Sequence, residues 1–220
     1  MSAYHLKNYV SVDLLHIINT YFYTKATMAK HYPAIARLRQ TSISKDNDVA
    51  DSISFYADGL TESLMIYFLP LMEEKYKVKL YPTYSYFRIY SKNSFLIPHL
   101  DRPQCEYSIS MPVGFSNECL HSDIWICNQQ IDSKKHTFHS FNDVEFKNSI
   151  ESNATMYRQE FGDLLLYEGT KYFHWRYPIE NEMLAQAFLH YSTNKEDYLD
   201  KRKDIGMPVS DNNEVIVYCN

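Results

Sequence analysis

The sequence predicts a mainly β protein with helices confined to its N-terminal third, built as a sandwich or jelly roll. Three observations carry this. Apolar residues recur at helical spacing only up to about residue 79. Beyond it the chain breaks into short alternating runs separated by turns, the pattern of an antiparallel all-β architecture. Only five glycines occur, and none forms a GxGxxG or phosphate-loop motif, so a nucleotide-binding α/β fold has no support.

Taken in order, Val12, Leu14, Leu15 and Ile18 with Tyr21 and Phe22 define a first helix, capped by Ser11 or Asp13. Residues 41–52, TSISKDNDVADS, are polar and predict a loop. A second helix is expected from about residue 56 to 76, with Leu60, Leu64, Ile66, Phe68 and Leu71 apolar and Pro70 kinking or interrupting it. YPTYSYFRIYS then alternates and is rich in aromatics, as strands are. Further strands are expected at 94–100, 106–113, 123–127, 137–146, 153–158, 164–167 and 185–191. The tail from Asn194 is charged and carries a strand-like piece at 215–218. One structural domain is expected: a helical region 1–79 packed on a β core 80–192, with an extension 193–220.

Bulk properties narrow the function. With 220 residues and 45% hydrophobic content the chain can bury a proper core. A net charge of −5 without a basic run argues against nucleic acid as the partner. Cys105, Cys119, Cys127 and Cys219 form no CxxC, so neither a disulfide scaffold nor a zinc ribbon is expected, and reduced thiols fit a cytoplasmic setting. The opening MSAYHLKNYV has no apolar signal region, and no apolar stretch is long enough for a bilayer, so no membrane role is expected.

The informative motif is His99-Leu100-Asp101 with a distant His174. Side chains at i and i+2 of a strand point the same way, so His99 and Asp101 can share one ion. Two imidazoles and one carboxylate with vacant positions are the ligand set of non-haem Fe(II) oxygenases. A bare His-x-Asp is common by chance, and most lone histidines are surface or satisfied core residues. Three surroundings strengthen it here. A Tyr- and Arg-rich strand precedes it, a Gly162-Asp163 turn leads a β-run toward the distal histidine, and Arg176 shares the strand face of His174.

The stretches YSYFRIYSKNSFLIPHLDRPQCEYSISMPVG, FGDLLLYEGTKYFHWRYP and AQAFLHY resemble the 2-oxoglutarate/Fe(II)-dependent dioxygenase superfamily. Within it they are similar to the prolyl-4-hydroxylase-like branch and to microbial members carrying HxDRPxCE and HWR. The resemblance spans roughly residues 80 to 192. It implies a double-stranded β-helix, metal ligation by His99, Asp101 and His174, and Fe(II) with 2-oxoglutarate as co-substrate, with ascorbate as a further possible cofactor. It also implies O₂ consumption, release of succinate and CO₂, and hydroxylation of a C–H bond in a small molecule or peptidyl residue. A carboxylate at Asp101 favours hydroxylation over halogenation, whose enzymes carry a small residue there.

The sequence departs from the family at the co-substrate anchor. Many relatives place a cation about ten residues after the distal histidine, where this chain has Met183, Leu184, Ala185 and Gln186. A carboxylate still calls for a bidentate partner. Arg176 is the first candidate and Arg88 the second, with Tyr90 at the position of a tyrosine that contacts 2-oxoglutarate in the branch. The alternatives for these residues are an ordinary salt bridge and ordinary strand packing. Arg102 and Glu106 read as a pair orienting Asp101 or as part of a turn, and Gln186 and His190 as pocket, core or rim. Cys105 reads as a small packed residue, and His121, His136 and His139 as solvated loop positions. Two other functional classes stay open: a cupin-like metal enzyme that does not use 2-oxoglutarate, and a non-catalytic jelly-roll binding or sensor module.

Overall fold

The computed structural model describes residues 3–32, 53–115, 121–131, 138, 140–180 and 182–198. The expected loop 41–52, the piece 215–218, Cys119, Cys219, His136 and His139 lie outside the described residues. In chain order the elements are β1 (Ala3–Leu6), α1 (Val12–His31), β2 (Ile53–Tyr56), α2 (Gly59–Tyr76), β3 (Tyr81–Ser91), β4 (Leu96–His99), β5 (Tyr107–Phe115), β6 (His121–Cys127), β7 (Ala154–Glu160), β8 (Leu164–Tyr167), β9 (His174–Arg176) and β10 (Met183–Ser192).

Two antiparallel sheets face each other. The six-stranded sheet runs β1-β8-β5-β10-β3-β2 and the four-stranded sheet β4-β9-β6-β7. The β core is therefore mainly β and sandwich-like, as expected. The helices cover the outer face of the larger sheet. Leu15, Ile18 and Phe22 of α1, with Met65, Phe68 and Met72 of α2, join Phe87, Ile109, Met111, Val113 and Leu189 in the largest apolar cluster. Alternation along β3, β5 and β10 sends the opposite set, including Tyr84, Tyr86, Arg88 and Tyr90, toward the smaller sheet. The outer face of the smaller sheet is covered by Phe138, Phe146 and Ile150, packed on Trp175 and Cys127.

Local chemistry explains the helix ends. The Ser11 hydroxyl accepts from the Leu14 amide at 3.4 Å, with Asp13 in the first turn, so both candidate residues favour the helix start and Ser11 is the cap. The carboxylate of Asp58 accepts from the Leu60 amide at 2.9 Å. That cap starts α2 at Gly59 rather than at residue 56, because Tyr56 is already the end of β2. Pro70 does not interrupt α2, which continues to Tyr76 and closes on Lys77 in the left-handed region. Pro98 sits on β4, an edge strand of its sheet, where a missing amide costs least.

The strand expectations hold at 81–91 and 164–167 and shift at most others by one or two residues. One fails. No described residue of 137–146 is in a strand; Phe141 and Asn142 form a turn and Val144 opens a helical stretch running to Ile150. The Asp143 carboxylate accepts from the amides of Glu145 and Phe146, which caps that stretch. Strands β1 and β2 were not anticipated, and β9 was expected only as the strand that puts His174 and Arg176 on one face. Among the described residues no helix is long and apolar enough to cross a membrane.

Candidate metal centre

His99 ends β4 and His174 begins β9, and the two residues are register partners across that strand pair. Asp101 lies just past β4, where its amide donates to Gly169 O at 2.9 Å. This bond turns the carboxylate back over the two imidazoles. The histidine rings lie 4.3 Å apart between centroids. Each Nδ1 is matched to a backbone carbonyl, His99 to Ile97 O at 2.9 Å and His174 to Tyr172 O at 3.1 Å. Donation from Nδ1 leaves the lone pair on Nε2, the nitrogen that a metal takes. Both Nε2 atoms face Asp101 Oδ1, at 3.4 Å from His99 and 3.6 Å from His174. The three ligand atoms all lie within 4.8 Å of one another, close enough to hold one ion.

Asp101 shows the strain of such a site. Burial alone would push its carboxyl up, but the imidazoles of His174 and His99 outweigh this and hold it well below the usual carboxylate range. Its Oδ2 is buried without a hydrogen-bond partner. Gly169 makes room for it, since a Cβ there would lie 2.0 Å from Oδ2 and 2.9 Å from the Cys105 carbonyl oxygen.

The centre opens on a cavity of about 380 Å³ between the sheets. Tyr84, Tyr86, Arg88, Tyr90, Tyr167 and His190 stand in its wall with the three ligands. Arg88 Nε donates to the Tyr86 hydroxyl at 3.1 Å, and its Nη1 reaches the Tyr90 hydroxyl at 3.5 Å. Arg176 does not line this cavity; it lines a second one of about 330 Å³ with Ser122, Asp123 and Trp125, and its guanidinium carbon and that of Arg88 are each 5.4 Å from the Tyr90 ring centroid. Arg176 is only 2% exposed. Its Nη1 donates to Ser122 Oγ and, at 2.9 Å, to Asp123 O, while Nη2 donates to Gln186 Oε1 at 3.0 Å. These partners are a hydroxyl, a carbonyl and a carboxamide. Its Nε is buried without a partner. Burial pushes the guanidinium below its ordinary value, opposed by Tyr90 and Asp123.

The other singled-out residues fall as follows. Gln186 is wholly buried beside Arg176, donating to Gln159 Oε1 at 3.2 Å and accepting from Ser122 Oγ at 2.9 Å. His190 lines the cavity. Arg102 stacks on Tyr84, its guanidinium carbon 4.4 Å from the ring centroid, and Glu106 accepts from the Thr193 amide at 2.9 Å. The Cys105 thiol is buried, lies 3.2 Å from the Tyr84 hydroxyl, and is pushed up by burial. His121 is not a solvated loop position: it opens β6, is half-buried, and lies beside Asp123 at 3.0 Å. Sequence reasoning missed Gly169, Tyr167, Ser122 and Gln159. Gly169 lies within the GDLLLYEG run that leads to His174, which was its one available signal.

The fold is a double-stranded β-helix. It is shared with the non-haem α-ketoglutarate-dependent carbocyclase SnoK of nogalamycin biosynthesis (TM-score 0.60, 8% identity, 87% of this chain and 79% of that one). It is likewise similar to HygX from Streptomyces hygroscopicus, solved with nickel and 2-oxoglutarate bound (TM-score 0.55, 11% identity, 87% and 82%). A Pseudomonas putida prolyl-4-hydroxylase is a third such structure (TM-score 0.52, 11% identity, 87% and 92%). No protein-family model matches the chain, and no curated protein matches it in sequence.

Proposed function

We propose that this chain is an Fe(II)- and 2-oxoglutarate-dependent dioxygenase that hydroxylates a C–H bond of a small molecule or peptidyl residue. The observation that carries the reading is the convergence of His99 Nε2, His174 Nε2 and Asp101 Oδ1 at one point, with Asp101 Oδ2 buried and bare beside them. Two borderline imidazoles and one hard carboxylate suit Fe(II) and leave coordination positions open. Bound iron and 2-oxoglutarate would supply the oxidising power, with O₂ consumed and succinate and CO₂ released. The structural neighbours described as α-ketoglutarate-dependent, or solved with nickel and 2-oxoglutarate, support the same class. The finer placement, near the prolyl-4-hydroxylase-like branch, is supported by the HxDRPxCE and HWR stretches, and a peptidyl substrate is part of it.

The chain's own residues divide the work. His99, Asp101 and His174 hold the ion, and the backbone bonds at both Nδ1 atoms fix ring orientation. Arg176, with a buried unpartnered Nε, is the first candidate for the far carboxylate of 2-oxoglutarate, and Arg88, which lines the metal-centre cavity itself, is the second. Ser122 and Gln186 hold the guanidinium in plane for it. Tyr90 and Arg88 line the approach. The remaining tyrosine wall shields the centre from water and shapes the substrate space. Buried, unbridged Cys105 and Cys127 fit a reducing, cytoplasmic setting.

Anaerobic addition of Fe(II) and 2-oxoglutarate tests the reading. A metal-to-ligand charge-transfer band, and succinate under air, are expected. His99→Ala and His174→Ala are expected to lose both signals. Absence of the band in the unaltered protein, with no succinate, defeats the reading. A band and full turnover in either histidine variant defeats the ligand set.

A further inference from the structure

We propose that His190 is a positioning residue of the metal centre, orienting the Asp101 carboxylate so that one oxygen is presented to the ion. This rests on the reading of His99, Asp101 and His174 as ligands. His190 belongs to β10, in the sheet opposite β9, yet it lines the same cavity. One nitrogen of its ring, Cys105 Sγ and an Asp101 oxygen all lie within 4.8 Å of one another. The imidazole is held from several sides. Its Nδ1 is 2.9 Å from the buried hydroxyl of Ser108. The hydroxyl of Thr83 donates to its backbone carbonyl at 3.1 Å, and the ring lies 4.7 Å from that of Tyr84. With Nδ1 committed to Ser108, Nε2 is the nitrogen left for the Asp101 side.

The partner it would serve has an open requirement. Asp101 Oδ1 faces the two ligand histidines, and Oδ2 is buried without a hydrogen bond. A carboxylate with one oxygen engaged by a donor offers only the other to a metal, and such outer partners set ligand geometry and affinity. In the tautomer whose Nδ1 accepts from the Ser108 hydroxyl, the ring proton sits on Nε2. That proton can reach the Asp101 carboxylate across one water. Cys105 is the other group on this side. Its buried thiol lies 3.2 Å from the Tyr84 hydroxyl.

The test reads metal affinity, not turnover. Co(II) is titrated into the full chain by calorimetry, without co-substrate, alongside a thermal melt. His190→Phe keeps a flat ring and removes both nitrogens; Co(II) binding is expected to weaken about tenfold to hundredfold. His190→Gln, which restores a donor, is expected to recover part of that loss, and Ser108→Ala to lose affinity more mildly. A folded His190→Phe with unaltered Co(II) affinity overturns the proposal. If that variant does not fold, unaltered affinity in both His190→Gln and Ser108→Ala overturns it instead. An unaltered protein that binds no Co(II) defeats the ligand reading itself, a result distinct from either.

Discussion

Single residues decide the chemistry here, and their legibility varied. His99, Asp101 and His174 could be read from spacing, because a strand sends i and i+2 to one side and the run through Leu164–Tyr167 returns the chain. Arg176 was readable for the same reason. Gly169 was not, because its role is defined by a neighbour distant in sequence: a Cβ there would meet Asp101 Oδ2 at 2.0 Å. Gly169→Ala is therefore expected to lower Co(II) affinity at least about tenfold, since the displaced group is a ligand. Affinity equal to the unaltered protein would refute that placement. Arg176→Lys keeps the charge but not the planar fork. Loss of one charge-assisted hydrogen bond, about 1.5–3 kcal/mol, predicts roughly tenfold to hundredfold weaker 2-oxoglutarate binding. Titrating the anaerobic charge-transfer band measures this, and an unshifted midpoint would move the anchor to Arg88.

At the scale of elements, long patterned segments were legible and short ones were not. β3 and β8 matched their expected bounds because alternation and apolar continuity are local properties. β1 and β9 are defined by what they pair with, Ala3–Leu6 by β8 and His174 by β4, and no local pattern announces that. Residues 137–146 were misread because aromatics suit a strand and also suit the cover that Phe138 and Phe146 form over Trp175. Phe146 is fully buried, so Phe146→Ala is expected to cost about 3–5 kcal/mol in a urea melt. A cost under 1 kcal/mol would mean the cover is dispensable.

The turn after β7 gives a pH prediction. Asp163 accepts from the amides of Asn8 and Glu160 and lies 2.8 Å from His5 Nε2. Burial would raise its carboxyl, but these bonds together hold it below the ordinary value. A depressed folded value adds stability above the unfolded value, about 3.9, and the gain is lost as pH falls through the folded value. Asp163→Asn should therefore be less stable than the unaltered protein at pH 6, with the gap closing as pH drops below about 4. A gap that is constant with pH would remove the carboxylate from the account.

For the whole molecule, the sandwich class was legible and the strand order was not. The order β1-β8-β5-β10-β3-β2 brings the N-terminal strand beside one from the last third of the chain. Such pairings are set by which faces fit once the sheets close. The same closure joins the metal site to global stability, since its ligands come from β4, the loop beyond it, and β9. A ligand that binds only the folded state stabilises it by about 2.7 kcal/mol at a hundredfold excess over Kd. Fe(II) or Co(II) should raise the melting temperature, EDTA should reverse the rise, and His99→Ala should show none. An equal rise in His99→Ala would place the binding elsewhere.

β9 is three residues long, and its two inward side chains are His174 and Arg176, with Trp175 packed outward between them. The proposed metal ligand and the proposed co-substrate anchor are thus fastened to one short rod whose back is wedged by Phe146 and Trp125. A designer wishing to retune this protein need not touch the cavity. Swapping the bulk behind Trp175 would tilt the rod and move both chemical contacts together, so selection on the outer surface can reach the reaction from the far side of the wall.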